Sequence, residues 1–242
     1  MIANTDESPH GVTATAPIPV NRLAGAETWI FDLDNTLYPA SCDLFSQVER
    51  NMTAYIMDRL ELDRNDAYAV QKNYFREHGT TMRGLMHHHG IDPHDFLGFV
   101  HEIDLSPIPD NPDLGALLGN LPGRKIIFTN GSVRHAERIT EHMGIDEHFE
   151  AVFDIVAANY VPKPERVVYE SLIDLHGIDP ASCVMVEDMA INLAPAAELG
   201  ITTVWIETQS TWGRARSDGP FIHHRSDDLT DWLTGVIDAW DT

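Results

Sequence analysis

The sequence predicts an α/β fold, a doubly wound parallel sheet interrupted by an inserted all-helical block. Three observations carry that expectation. Five short apolar runs lack polar alternation, as strands covered on both faces do. Helical segments with recognisable ends separate most of them. One block, residues 41–105, has helical periodicity and no strand pattern.

Residues 1–25, opening MIANTDESPHGVTATAPIPV, are rich in Ala, Thr and Pro and read as a flexible segment. They lack a basic start followed by an apolar core, so they do not read as a secretion signal. The first strand spans 28–33 (TWIFDL). The block 41–105 follows as a helical cap, in which Leu44, Val48, Met52, Tyr55, Ile56 and Leu60 recur at helical spacing. Segments 68–75, 82–88 and 93–101 read as further cap helices. Hinges are expected near Pro39 and over 107–112, within SPIPDNP. Residues 26–40 and 106–242 then form the α/β core domain. Its later strands are 125–129 (KIIFT), 152–156 (VFDIV), 183–187 (CVMVE) and 202–206 (TTVWI). Helices over 132–143, 164–176 and 192–199 stop at Gly144, Gly177 and Gly200, and the second opens on Pro164. Proline suits a first helical turn and glycine an end. The last helix, 227–239, begins on Asp227 and Asp228, which cap it and favour its positive end.

Composition narrows the function. A chain of 242 residues with 43% hydrophobic and 22% charged residues is ordinary for a globular protein. A formal charge of −22 is not. It argues against nucleic acid and membrane as partners, because no basic stripe exists to release counterions. No apolar run reaches membrane-spanning length, and the cytoplasm is the expected location. An acidic chain that binds an anionic substrate must neutralise charge locally, which favours a bound cation. Cys42 and Cys183 lie far apart, and Cys183 reads as a buried free thiol.

Ligands of open α/β sheets bind at the carboxyl ends of strands. Four stretches there carry suggestive chemistry. They are Asp32-Leu33-Asp34-Asn35-Thr36, Thr129-Asn130-Gly131, Lys163 between Pro162 and Pro164, and Glu187-Asp188. Each alone reads as a turn, a polar loop or a helix cap. All four in this order resemble the haloacid-dehalogenase-like (HAD) superfamily of phosphohydrolases, from residue 27 to the C-terminus. Within it, DLDNTLYP (32–39), FTNG (128–131), the tract 160–164 and RGLMHHHGID (83–92) resemble the pyrimidine 5′-nucleotidase-like group.

The resemblance implies a Mg²⁺-dependent phosphatase that hydrolyses a small phosphate monoester through an aspartyl-phosphate intermediate. The favoured substrate is a nucleoside (pyrimidine) 5′-monophosphate. Asp32 would be the nucleophile and Asp34 the acid and then the base. Residues two apart in an extended segment face the same way, so both acids can reach one substrate. Mg²⁺ would be held by Asp32, the Asp34 backbone carbonyl and Asp188, with Glu187 as an additional or water-mediated ligand. Few protein ligands and several waters suit that ion. Thr129 and Asn130 would bind phosphate. Lys163, one of only three lysines with Lys72 and Lys125, would supply positive charge. Thr36 and Asn192 are candidate supporting residues, and Arg83 and His89 of the cap could read the substrate.

Alternatives are a phosphatase for sugar phosphates or phosphoglycolate, a phosphomutase, and, less favoured, a 2-haloacid dehalogenase. The last needs neither Asp34 nor the acidic pair. The expected partner is a small phosphorylated metabolite, for a monomer or a homodimer. His87, His88 and His89 are adjacent on a helix and point in different directions, so they read as packing or solvated residues. No glycine fingerprint or P-loop calls for a nicotinamide or ATP cofactor.

Overall fold

The structure, a computed structural model, describes residues 19–240. Six strands form one sheet: β1 (Thr28–Phe31), β2 (Arg124–Phe128), β3 (Ala151–Phe153), β4 (Cys183–Glu187), β5 (Thr202–Ile206) and β6 (His224–Ser226). Their order is β3-β2-β1-β4-β5-β6, and every neighbouring pair is parallel. This is the doubly wound α/β architecture the apolar runs predict. The chain winds outward from β1 to β3, then returns to β4 and winds the other way. The carboxyl ends of β1 and β4 therefore flank the switch point where a ligand crevice forms. The edge strand β6 was not foreseen, because His-Arg-Ser at its position offers no apolar run.

Alternation along the strands splits the core into two layers. Trp29, Phe31, Ile127, Val184, Val186 and Val204 face α5 (Pro112–Asn120), α6 (Val133–Met143) and α9 (Leu229–Asp238). Ile30, Ile126, Phe128, Met185 and Trp205 face α7 (Arg166–His176) and α8 (Leu193–Glu198). Helix α5 falls beside the expected hinge. Its prolines read as breakers, yet Pro112 takes the first turn and the Asn111 side chain accepts from the Leu114 amide at 3.2 Å.

Between β1 and α5, which leads into β2, stand four helices: α1 (Leu44–Leu60), α2 (Arg64–His78), α3 (Thr81–His89) and α4 (Pro93–Val100). Their buried residues, including Leu44, Val48, Ile56, Leu85 and Phe96, join the first core layer without a break. Helices α2 and α3 approach so closely at Gly84 that a Cβ there would stand 2.4 Å from the Tyr74 ring. Among the described residues no helix is long and apolar enough to cross a membrane.

The expected flexible segment needs correction at its end. Val20–Gly25 forms a 3₁₀ helix with Leu23 buried, and the Trp240 indole donates to the Val20 carbonyl at 3.4 Å. Burial of one leucine against α9 is a tertiary contact that local composition does not announce. Residues 1–18, which carry the rest of that expectation, lie outside the described residues.

Candidate active site

Asp32 continues β1 by one residue, its amide donating to the Val186 carbonyl of β4 at 2.9 Å. The ladder thus aims the first acid into the switch-point crevice. Thr36 Oγ1 donates to Asp32 Oδ2 at 3.1 Å, across a turn in which Asn35 adopts φ +62°. Asparagine tolerates that left-handed conformation better than most residues. The Lys163 ammonium spends all three protons nearby: on Asp32 Oδ1 at 2.6 Å, Glu187 Oε2 at 2.7 Å and the Phe128 carbonyl at 2.9 Å. Glu187 Oε1 accepts from the Met189 amide at 3.1 Å. Thr129 is buried at the end of β2, its Oγ1 accepting from the Gly131 amide at 2.9 Å. The ends of β1, β2 and β4 therefore meet around one ammonium, carried by a segment that lies beyond β3.

The charge balance of this cluster is lopsided. Asp32, Glu187 and Asp188 are buried, with ligand oxygens within 4.8 Å of one another, against the single charge of Lys163. Burial, then repulsion from Glu187, raises the Asp32 carboxyl above its ordinary range despite Lys163. Asp188 is pushed well up by burial, Glu187 and Asp32. An all-oxygen, electron-rich donor set short of positive charge is what a hard divalent cation fits, so these residues suit Mg²⁺.

That imbalance yields an expected outcome. In metal-free protein, Asp188→Asn should raise stability by about 0.5–2 kcal/mol at pH 8, with about 2–4 °C in Tm for each kcal/mol. The sign follows from linkage. A carboxyl whose folded pKa lies above 3.8 binds more protons folded than unfolded, so it erodes stability as pH rises. The gain should shrink towards pH 5, as thermal melts in chelator at both pH values would record.

Residues 27–200 of the 242 match the family of haloacid dehalogenase-like hydrolases. The chain belongs to that family. Among curated proteins it resembles Phosphate metabolism protein 8 of Saccharomyces cerevisiae, 27% identical over 193 residues. That match covers 72% of this chain but 60% of the yeast protein. Solved structures share the fold of this HAD-like hydrolase. A HAD phosphatase from Thermococcus onnurineus aligns with TM-score 0.60 and 16% identity, over 87% of this chain and 97% of its own. L-2-haloacid dehalogenase from Xanthobacter autotrophicus aligns with TM-score 0.53 and 16% identity, over 87% and 98%.

The second acid of this HAD-like hydrolase has neighbours that sequence reading missed. Tyr38 OH donates to Asp34 Oδ1 at 2.6 Å, and His135 Nε2 lies 2.8 Å from the same oxygen. Burial pushes the Asp34 carboxyl up, but His135 and Tyr38 outweigh it and hold the pKa at about 2. His135 is buried and stacks on His101, ring centroids 4.1 Å apart. Burial, with His135 next to it, lowers His101 to about 3. One signal was available: His135 sits in the first turn of the helix after FTNG, where a side chain can turn back to the crevice. Only the sheet order says that Asp34 is what it meets.

The remaining candidates divide. Asn130, a candidate phosphate contact, lies against the Lys163 segment. Its Oδ1 accepts from the Lys163 amide at 2.9 Å, so it fixes the lysine segment. Asn192 is buried at the end of a 3₁₀ turn after the acidic pair, its carbonyl accepting from Tyr169 OH at 2.6 Å. Arg83 of α3 lies 3.9 Å from Glu165, two residues beyond Lys163, which brings the helical insert to the site's border. His89 instead contacts Tyr74 OH at 2.7 Å.

Proposed function

We propose that this HAD-like hydrolase is a phosphatase acting on small phosphate monoesters, with Asp32 as nucleophile. The observation that carries the reading is Lys163 bridging Asp32 and Glu187 with Asp188 alongside. Phosphate esters are anionic and resist hydrolysis, so a site for them needs a nucleophile, a proton carrier and concentrated positive charge.

Each residue then has a role. Lys163 and Thr36 hold the Asp32 carboxylate from its two oxygens, which aims it at phosphorus. Attack forms an aspartyl phosphate and expels an alkoxide. Asp34 protonates that alkoxide and later takes a proton from the water that hydrolyses the intermediate. The second step suits its resting, ionised state directly. For the first, a bound phosphate dianion adds like charge beside Asp34 and moves its pKa upward. Tyr38 and His135 are in contact to pass the proton. Bound by Asp32, the Asp34 carbonyl and Asp188, with Glu187 behind, Mg²⁺ would supply the charge that screens dianion from carboxylate. Thr129 keeps its hydroxyl proton to donate to a phosphate oxygen. Because all three Lys163 protons are engaged, its contact with phosphate requires exchanging one partner.

The insert 41–105 acts in this reading as a cap, and nucleoside 5′-monophosphates, pyrimidine ones foremost, are the favoured substrates. Support comes from the motif resemblance and from the insert's contacts at the rim. Besides Arg83, Phe75 of α2 meets Trp212 edge-on at 5.3 Å. Phosphate release measured across nucleoside monophosphates, sugar phosphates and phosphoglycolate, with and without Mg²⁺, tests the proposal. No release from any ester would sink it, and chloride release from 2-chloropropionate without metal would favour the dehalogenase reading.

Asp34→Asn should lower kcat by about 10²–10⁴-fold on alkyl phosphates, as loss of general acid catalysis does. The loss should be smaller for p-nitrophenyl phosphate, whose leaving group needs no proton. Equal losses on both would contradict the proton role.

A further inference from the structure

The insert carries a second set of ligand atoms, remote in chemistry from the acidic cluster. His78 closes α2 and His88 lies in the last turn of α3, and their Nε2 atoms stand 3.0 Å apart. Glu77 Oε2 is 3.9 Å from His78 Nε2, and one ligand atom from each residue falls within 4.8 Å of the others. Two nitrogens on one tetrahedral ion at about 2.0–2.1 Å must be about 3.3 Å apart. The imidazoles already sit near that spacing, with a proton shared where an ion would go. Tyr74 stacks on His88 at 5.0 Å and 16° and meets His78 edge-on at 5.9 Å, which fixes both ring planes. His87 stands edge-on to His88 at 4.7 Å, a further imidazole at the rim. The histidine run therefore still does not form a ligand set by itself. One of its members pairs with α2 across the close contact at Gly84.

We propose that Glu77, His78 and His88 form a site for a borderline transition-metal ion such as Zn²⁺, separate from the all-oxygen site at Asp32. Imidazole donors select zinc, nickel or copper over magnesium. An ion there ties the end of α2 to α3, at the turn where Gly79 faces Pro162, the neighbour of Lys163.

Titration calorimetry of the full-length protein with Zn²⁺, in excess Mg²⁺ to occupy the acidic site, tests this. Wild type should take up one equivalent. His78→Ala and His88→Ala should each bind at least about tenfold more weakly, the loss seen even for outer partners of a metal. Asp188→Asn and His89→Ala should bind as wild type does. Zn²⁺ should raise Tm in wild type and not in His88→Ala. Absence of uptake by wild type, unchanged affinity in the two histidine variants, or loss of uptake in Asp188→Asn would each overturn the site.

Discussion

Replacing Asp32 with Asn is expected to abolish phosphate-ester hydrolysis, lowering kcat by at least about 10⁴-fold while the fold survives. Loss of a nucleophile costs about that much or more where the rest of the site is intact. The substitution keeps the side chain's size and its contact with Thr36 and removes one charge from a cluster that has too many. Lys163 keeps Glu187 and the Phe128 carbonyl as acceptors, so no buried charge is stranded. Melting temperature should therefore hold or rise as activity disappears. An Asp32→Asn variant that turns over at the wild-type rate would refute the nucleophile assignment.

The largest stability effect is expected from Lys163→Met. Removing one partner from a buried ion pair costs about 3–5 kcal/mol because the other charges stay behind. Here two carboxylates, Asp32 and Glu187, lose their counter-ion at once. At about 2–4 °C per kcal/mol, Tm should fall by about 6–20 °C. The loss has a pH signature. Burial and Glu187 already raise the Asp32 pKa, and losing the lysine raises it further. Between 3.8 and that raised value the folded chain binds more protons than the unfolded one, so stability falls with rising pH. The deficit should be smaller at pH 5 than at pH 8 in thermal melts with chelator. A deficit independent of pH would mean that lost packing, not stranded charge, is responsible.

How far the sequence could be read follows from what local chemistry encodes. The five apolar runs in β1 to β5 and the glycine stops of α6 and α7 were legible, since burial on both faces and glycine termini leave marks in single segments, whereas Pro164, which reads as the opening of α7, lies in the turn before that helix starts at Arg166. So was the order of Asp32, Thr129, Lys163 and Glu187 along the chain. What local pattern lacks is three-dimensional partnership. Lys163 meets Asp32 across 131 positions, and His135 meets Asp34 across 101. The first meeting could be inferred from the motif resemblance, whereas nothing marked the second. Strand β6 was hidden because a polar edge strand needs no apolar run, and α5 because its first-turn proline reads equally as a breaker. The pairing of His78 with His88 depends on a helix crossing made possible by Gly84, which periodicity does not report.

The proposed chemistry turns on a covalent bond between phosphorus and the carboxylate of Asp32, just past β1. Quenching the enzyme during steady turnover and reducing it with borohydride converts an acyl phosphate to an alcohol, which peptide mass spectrometry locates. Homoserine is expected at position 32, only when substrate and Mg²⁺ are both present. Phosphate release that continues with Asp32 never modified, or reduction at a different acid, would contradict it.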